Sequence, residues 1–132
     1  MQSSTPSPLD GLRVLVVEDE YMVADHIGML LEDLGCVVAG FAATVAEALD
    51  LVRSEQLDGV LLDGNLNGDS SGPVAIELRS RSIPFVVATG YGQLELNADA
   101  LNGAPRLAKP FSNVEFERTL VAAFRRSSAH RL

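Results

Sequence analysis

Five short apolar runs alternate with segments of helical period along this chain, and four of the five stop on a polar residue. The first is the sharpest case. Residues 14–20 read VLVVEDE, four apolar and mostly β-branched residues running into Glu18, Asp19 and Glu20. Such a run suits a strand buried on both faces. Three like charges at its end repel one another, and whatever the chain folds into must offset them.

The same pattern recurs downstream. From Tyr21 the period becomes helical, with Val23, Ile27, Leu30, Leu31 and Leu34 on one face and Gly35 as the stop. Gly28 inside that helix costs about 1 kcal/mol relative to alanine, unless a close backbone approach requires it. Residues 37–41 form a second strand. Thr44 caps a second helix, with Glu47 three residues on as a capping box, and with Val45, Ala48, Leu49 and Val52 inward. Residues 60–62 form a third strand entering Asp63. GNLNGDSSG follows as a loop of turn formers, and Pro73 opens a third helix over 74–81. Residues 85–88 form a fourth strand. Leu94, Ala98 and Leu101 permit a short helix that Asn97 and Asn102-Gly103 weaken. Residues 106–108 form a fifth strand. Ser112 or Asn113 caps a last helix, with Phe116, Leu120, Ala123 and Phe124 inward.

Strands alternating with helices predict a parallel sheet covered on both faces. Two small doubly wound folds fit: flavodoxin-like, with strand order 2-1-3-4-5, and half of a dinucleotide-binding fold. GxGxxG is absent after the first strand, which favours the α/β flavodoxin-like order with five strands. The 132 residues suit one domain. Residues 1–11 read as a disordered lead, 12–126 as the domain and 127–132 as a polar tail.

Composition narrows the function. The net charge is −8, with 18 acidic against 10 basic residues. Such a surface repels nucleic acid and anionic lipid, so neither a nucleic acid nor a membrane is expected as a partner. No apolar run approaches membrane-spanning length, and the N-terminus lacks the basic start and apolar centre of a signal peptide. Cys36 is the only cysteine. It reads as a small core residue, and its isolation suits a cytoplasmic protein. His26 and His130 read as solvated or partly packed, not as metal ligands.

In open α/β sheets, sites form at the carboxyl ends of the strands. There the sequence places Glu18 and Asp19 (first strand), Asp63 (third), Thr89 (fourth) and Lys109 (fifth). Taken singly, each has an ordinary explanation: a helix N-cap, a turn former, a solvated lysine. Together at one sheet edge, coincidence is the weaker account. Three neighbouring carboxylates raise one another's pKa unless cations offset them. Lys109 brings one positive charge, and a hard divalent ion such as Mg²⁺ brings two more and takes oxygen ligands. The arrangement suits phosphoryl chemistry, with Thr89 and Lys109 contacting phosphoryl oxygens.

With VLVVEDE, LLDGNLNG, VATGYG and LAKPF in that order on successive strand ends, the chain resembles the receiver domain of two-component response regulators. The resemblance runs from about Leu12 to Phe124. It implies that Asp63 accepts a phosphoryl group from a phosphohistidine on a histidine kinase or a histidine phosphotransfer protein. It implies that Glu18 and Asp19 hold Mg²⁺ with Asp63 and the backbone carbonyl of Asn65. Thr89 would sense the phosphoryl group, Lys109 would pair with Asp63 or the phosphoryl oxygens, and a cis bond would join Lys109 to Pro110. Glu18 stands where the family most often has Asp. Arg106 stands where it often has the aromatic half of a switch. VATGYG is similar, with Val87 for Phe, to the Phe-Ala-Thr-Gly motif of single-domain regulators whose partners are often HWE-type kinases. Asn65 and Tyr91 fall where the family tunes loss of the phosphoryl group. Tyr91 could instead be the aromatic that moves, or a loop residue packing its ring on the surface.

The leading expectation is therefore a stand-alone phosphoacceptor module that is not an enzyme towards other molecules and signals through protein contacts. A Mg²⁺-dependent aspartyl-phosphate phosphohydrolase is the enzymatic rival, but it needs a carboxylate two residues after the nucleophile, where Asn65 stands. A flavodoxin needs a phosphate loop after the first strand, and EDEYM would repel the flavin phosphate. A non-phosphorylated scaffold is the third reading, and the intact Asp63, Thr89 and Lys109 count against it.

Overall fold

A computed structural model describes residues 8–66, 68–90 and 103–125. Five parallel strands form the central sheet: β1 (Arg13–Val17), β2 (Val37–Ala42), β3 (Gly59–Asp63), β6 (Phe85–Thr89) and β7 (Arg106–Ala108). Their order is β2-β1-β3-β6-β7, which is 2-1-3-4-5 when only sheet strands are counted. The numbering differs because residues 64–72, expected as a plain loop, contain an antiparallel hairpin of β4 (Asn65–Leu66) and β5 (Asp69–Ser70). Gly68 allows its turn at φ +85°, and Leu66 anchors it in the core.

Side chains alternate across each strand, so the sheet has two apolar faces. Val14, Val16, Leu61 and Val86 face one core, with Ile27 and Leu31 of α1 (Tyr21–Asp33) and Phe116 and Leu120 of α4 (Asn113–Leu120). Leu15, Val17, Val60, Leu62 and Val87 face the other, with Ala48 and Val52 of α2 (Val45–Ser54) and Val74 and Leu78 of α3 (Gly72–Ser80). The apolar runs of β1, β3 and β6 are thus strands with no wet face, whereas edge strand β2 leaves Val37 and Phe41 exposed. Among the described residues, no helix is long and apolar enough to cross a membrane.

The helix signals hold with local differences. α1 stops before Gly35, whose φ of +90° favours glycine. Ser112 and Glu115 form a complete capping box at α4. At α2 the Thr44 hydroxyl accepts from the Glu47 N–H, but the Glu47 carboxylate reaches the Ala43 N–H instead of that of Thr44. Gly28 is a close approach: a Cβ there would sit 3.0 Å from the Phe41 ring.

The expected lead over residues 1–11 is corrected at its end. Residues 8–11 form a turn, Leu9 is fully buried, and the Gly11 N–H donates to the Gly35 carbonyl at 2.8 Å. Leu9 belongs to the same core as Cys36. Burial, with the charge of Asp10 as a second cause, pushes the Cys36 thiol up to about 11, as suits a packed, unreactive thiol.

After α4 the chain continues as a π-helical turn, Val121–Arg125. Phe124 is buried there against Gly59, where a Cβ would lie 2.6 Å from the ring. Gly59→Ala is therefore expected to destabilise the protein by about 1–3 kcal/mol through overpacking. Urea denaturation measures this, and an unchanged midpoint would show that Phe124 moves aside freely.

Candidate phosphoacceptor site

The parallel sheet brings its strand ends together at one edge. β1 delivers Glu18 and Asp19, β3 delivers Asp63, and β7 leads into Lys109. The Lys109 N–H donates to the Thr89 carbonyl at 2.8 Å, which ties the last two strand ends together. The Lys109–Pro110 bond is cis. A cavity of about 250 Å³ opens there, lined by Glu18, Asp19, Glu20, Asp63, Asn65, Gly90 and Lys109.

Glu18 and Asp63 are each only 4% exposed. Buried carboxylates need partners. The Lys109 ammonium lies 2.8 Å from Glu18 Oε1 and 3.5 Å from Asp63 Oδ2. The remaining oxygens take backbone donors. Glu18 Oε2 accepts from the Glu20 N–H at 3.3 Å, and Asp63 Oδ1 accepts from the Asn65 N–H at 3.2 Å. Burial, then the facing charge of Glu18, pushes Asp63 up to about 7 against the pull of Lys109. Burial alone would lower Lys109, but Glu18 and Asp63 together leave it above its usual value. One ammonium is shared by two acids, so the pair is under-compensated.

Capping does not explain the acidic run. Glu20 is the N-cap of α1, yet its side chain makes no capping hydrogen bond. Instead Glu18, Asp19 and Asp63 each offer an oxygen, and these oxygens lie within 4.8 Å of one another. An all-oxygen set with excess negative charge is the donor chemistry of a hard divalent cation.

The structure does not bring every expected residue to the cavity wall. Thr89 is buried at the end of β6, beside the lining residues and not among them. Arg106 is exposed at the start of β7, away from the lining. The Asn65 side chain turns into the hairpin, where its Oδ1 accepts from the Gly68 N–H at 2.7 Å. Tyr91 and the expected short helix around Leu94 lie outside the described residues. Gly90 was not anticipated. It is the glycine of VATGYG, directly after a strand end.

Comparison with known proteins agrees with this geometry. The family model for the response regulator receiver domain matches residues 14–120. The sensory transduction protein LytT of Bacillus subtilis is 30% identical over 112 residues, 83% of this chain and 46% of that protein. The phyllosphere-induced regulator PhyR of Methylorubrum extorquens is 31% identical over 122 residues, 89% of this chain and 46% of that protein. The chain thus spans about half the length of these relatives. The solution structure of SdrG from Sphingomonas melonis superimposes with a TM-score of 0.76 at 38% identity, over 88% of this chain and 97% of that one. Matched along most of its length in both sequence and fold, the chain belongs to the response regulator receiver domain family.

Proposed function

We propose that this protein accepts a phosphoryl group on Asp63 from a phosphohistidine, in a Mg²⁺-dependent reaction, and signals through protein contacts. The observation that carries the reading is the placement of Asp63. It is a buried carboxylate at the end of the central strand, facing both an ammonium and a second acidic group across an open cavity.

In this reading a carboxylate oxygen of Asp63 attacks phosphorus, the P–N bond to the donor imidazole breaks, and an acyl phosphate forms. Asp63 must be ionised to attack. With a pKa near 7 it is partly protonated at neutral pH, so a further positive charge favours the nucleophilic form. Glu18, Asp19, Asp63 and the Asn65 carbonyl would hold Mg²⁺. When bound, the ion offsets carboxylate and phosphoryl charge. Lys109 steadies the phosphoryl oxygens as a point charge, and the Thr89 hydroxyl donates to them once it turns towards the cavity. Asn65 carries no carboxylate for acid–base catalysis, which counts against a phosphohydrolase.

The donor is a histidine kinase, in our reading of HWE type, or a histidine phosphotransfer protein. Similarity to nearly the whole SdrG chain supports a unit of this size acting on its own. Tyr91, Asn65 and Arg106 are the candidates for setting the lifetime of the acyl phosphate.

Borohydride reduction after treatment with a small phosphoryl donor tests the site. An acyl phosphate on Asp63 is reduced to an alcohol, so tandem mass spectrometry should find homoserine at that position alone. Reduction at another carboxylate, or at none in protein that has gained phosphate, would contradict the assignment.

A further inference from the structure

The sheet runs β2-β1-β3-β6-β7, so β2 and β7 are its outer strands. An outer strand leaves alternate backbone N–H and C=O groups without a ladder partner, and folds commonly guard such an edge by keeping it short or charged. β7 is both: it has three residues and begins on exposed Arg106. β2 is neither. It has six residues, VVAGFA, with no charge and no proline. Val37 and Phe41 are exposed, and Val38, Ala39 and Gly40 are half-buried. One irregularity interrupts it, a shift in register against Val14 and Leu15 that leaves Ala39 unmatched. On the β1 side the Val37 N–H donates to the Leu12 carbonyl at 2.8 Å, and the Ala42 carbonyl accepts from the Glu18 N–H at 2.9 Å. Alternation along the strand then turns the backbone groups of Val38 and Phe41 outward.

We propose that this edge takes an extended basic segment of a partner protein, which adds to the sheet as a further strand and seats an arginine where β2 ends. Charge selects the occupant. A cavity of about 330 Å³ opens at that end, lined by the acids Glu18, Asp19, Asp25 and Glu47 and by the rings of Tyr21 and Phe41. Among the described residues, no basic side chain lines it. Asp25 and Glu47 are exposed, and neither is in an ion pair with another described residue. Glu47 keeps Oε1 on the Ala43 N–H, which leaves its other oxygen for an incoming donor. The Phe41 ring is a fixed wall, because it rests on the backbone of Gly28. A guanidinium suits such a cleft better than an ammonium: its flat face stacks on a ring while its N–H fork meets carboxylates. Backbone pairing along β2 supplies the remaining affinity, as in other strand additions. A second copy of this chain fits less well, since it brings a net charge of −8 against an acidic edge.

The test is an NMR titration of ¹⁵N-labelled protein, in MgCl₂, with a blocked synthetic peptide as long as β2. The peptide alternates valine and threonine and carries an arginine at each end, so that either strand direction can seat one. Amide signals along β2 and at Tyr21, Asp25 and Glu47 should move together and saturably, and the Val38 and Phe41 amides should exchange more slowly with solvent. Asp25→Asn combined with Glu47→Gln should weaken binding about fivefold, the worth of exposed charge pairs. The same peptide with glutamate for arginine, or with proline at its centre, should leave the signals in place. The proposal is overturned by an arginine peptide that moves nothing, or by shifts gathered at Asp63 and Lys109 instead of β2. Equal binding of the glutamate or the proline peptide overturns it too, since the first removes the charge match and the second the ladder. β2 signals that move with protein concentration alone would assign the edge to a second copy and likewise overturn it.

Discussion

Asp63→Asn is expected to make the protein more stable at pH 8 without divalent cations, by roughly 2–4 kcal/mol. The cause is the environment of the native aspartate. Its pKa rises from 3.8 to about 7 on folding, first through burial and then through Glu18. Between those two values the folded state binds more protons than the unfolded chain. Stability therefore falls as pH climbs from about 4 to about 7, and above 7 the full penalty is in place. A gap of about three pKa units is worth on the order of 4 kcal/mol. The pull of Lys109 is already contained in that value, so the gap is an upper bound on the gain. Urea denaturation of both proteins at pH 5 and pH 8 measures it. About 1.7 kcal/mol of the penalty is already present at pH 5, so the curves should differ modestly there and much more at pH 8. A difference that is absent, or the same at both values, would mean that Asp63 is not held in the strained ionised state described here.

Lys109→Met should act in the opposite direction and as strongly. It removes the ammonium that Glu18 and Asp63 share. Breaking a buried pair by deleting one partner costs about 3–5 kcal/mol. Here the cost depends on pH, because Asp63 can take up a proton once its counter-charge is gone. We expect the larger loss at pH 8 and a smaller one at pH 6, again by urea denaturation. Mg²⁺ should restore more stability to this variant than it adds to the wild type, since it supplies the missing charge without competing with an ammonium. In the Asp63→Asn background the same substitution should cost less, because only Glu18 is then left unpaired. A loss independent of pH and untouched by Asp63→Asn would assign Lys109 a packing role instead.

These effects converge on groups that local sequence already pointed to. VLVVEDE announces a buried strand and a charged end because both signals are carried by adjacent residues. Strand ends in a parallel sheet share an edge, so Asp63 and Lys109 could be placed beside Glu18 from pattern alone. The Ser112–Glu115 capping box is local for the same reason. What escaped reading is nonlocal or depends on side-chain reach. Lys109 prefers Glu18, 91 positions away, over Asp63, and nothing in the motif decides between two acids. Leu9 looked like part of a free lead because its partners lie in α1 and around Cys36. The hairpin after Asp63 hid in a run of turn formers that Leu66 anchors in the core. The π-helical turn carries Phe124 against Gly59, a contact no periodicity records. Arg106 and Thr89 lie on or beside the expected strand, yet strand position alone does not say which side chain reaches the cavity.

Intact-mass spectrometry after incubation with a small phosphoryl donor, with and without Mg²⁺ and beside Asp63→Asn, tests the central claim most directly. The account predicts a gain of one phosphoryl group that requires Mg²⁺ and is absent in the variant. No gain in folded wild-type protein with Mg²⁺ present, or an equal gain in Asp63→Asn, would contradict it.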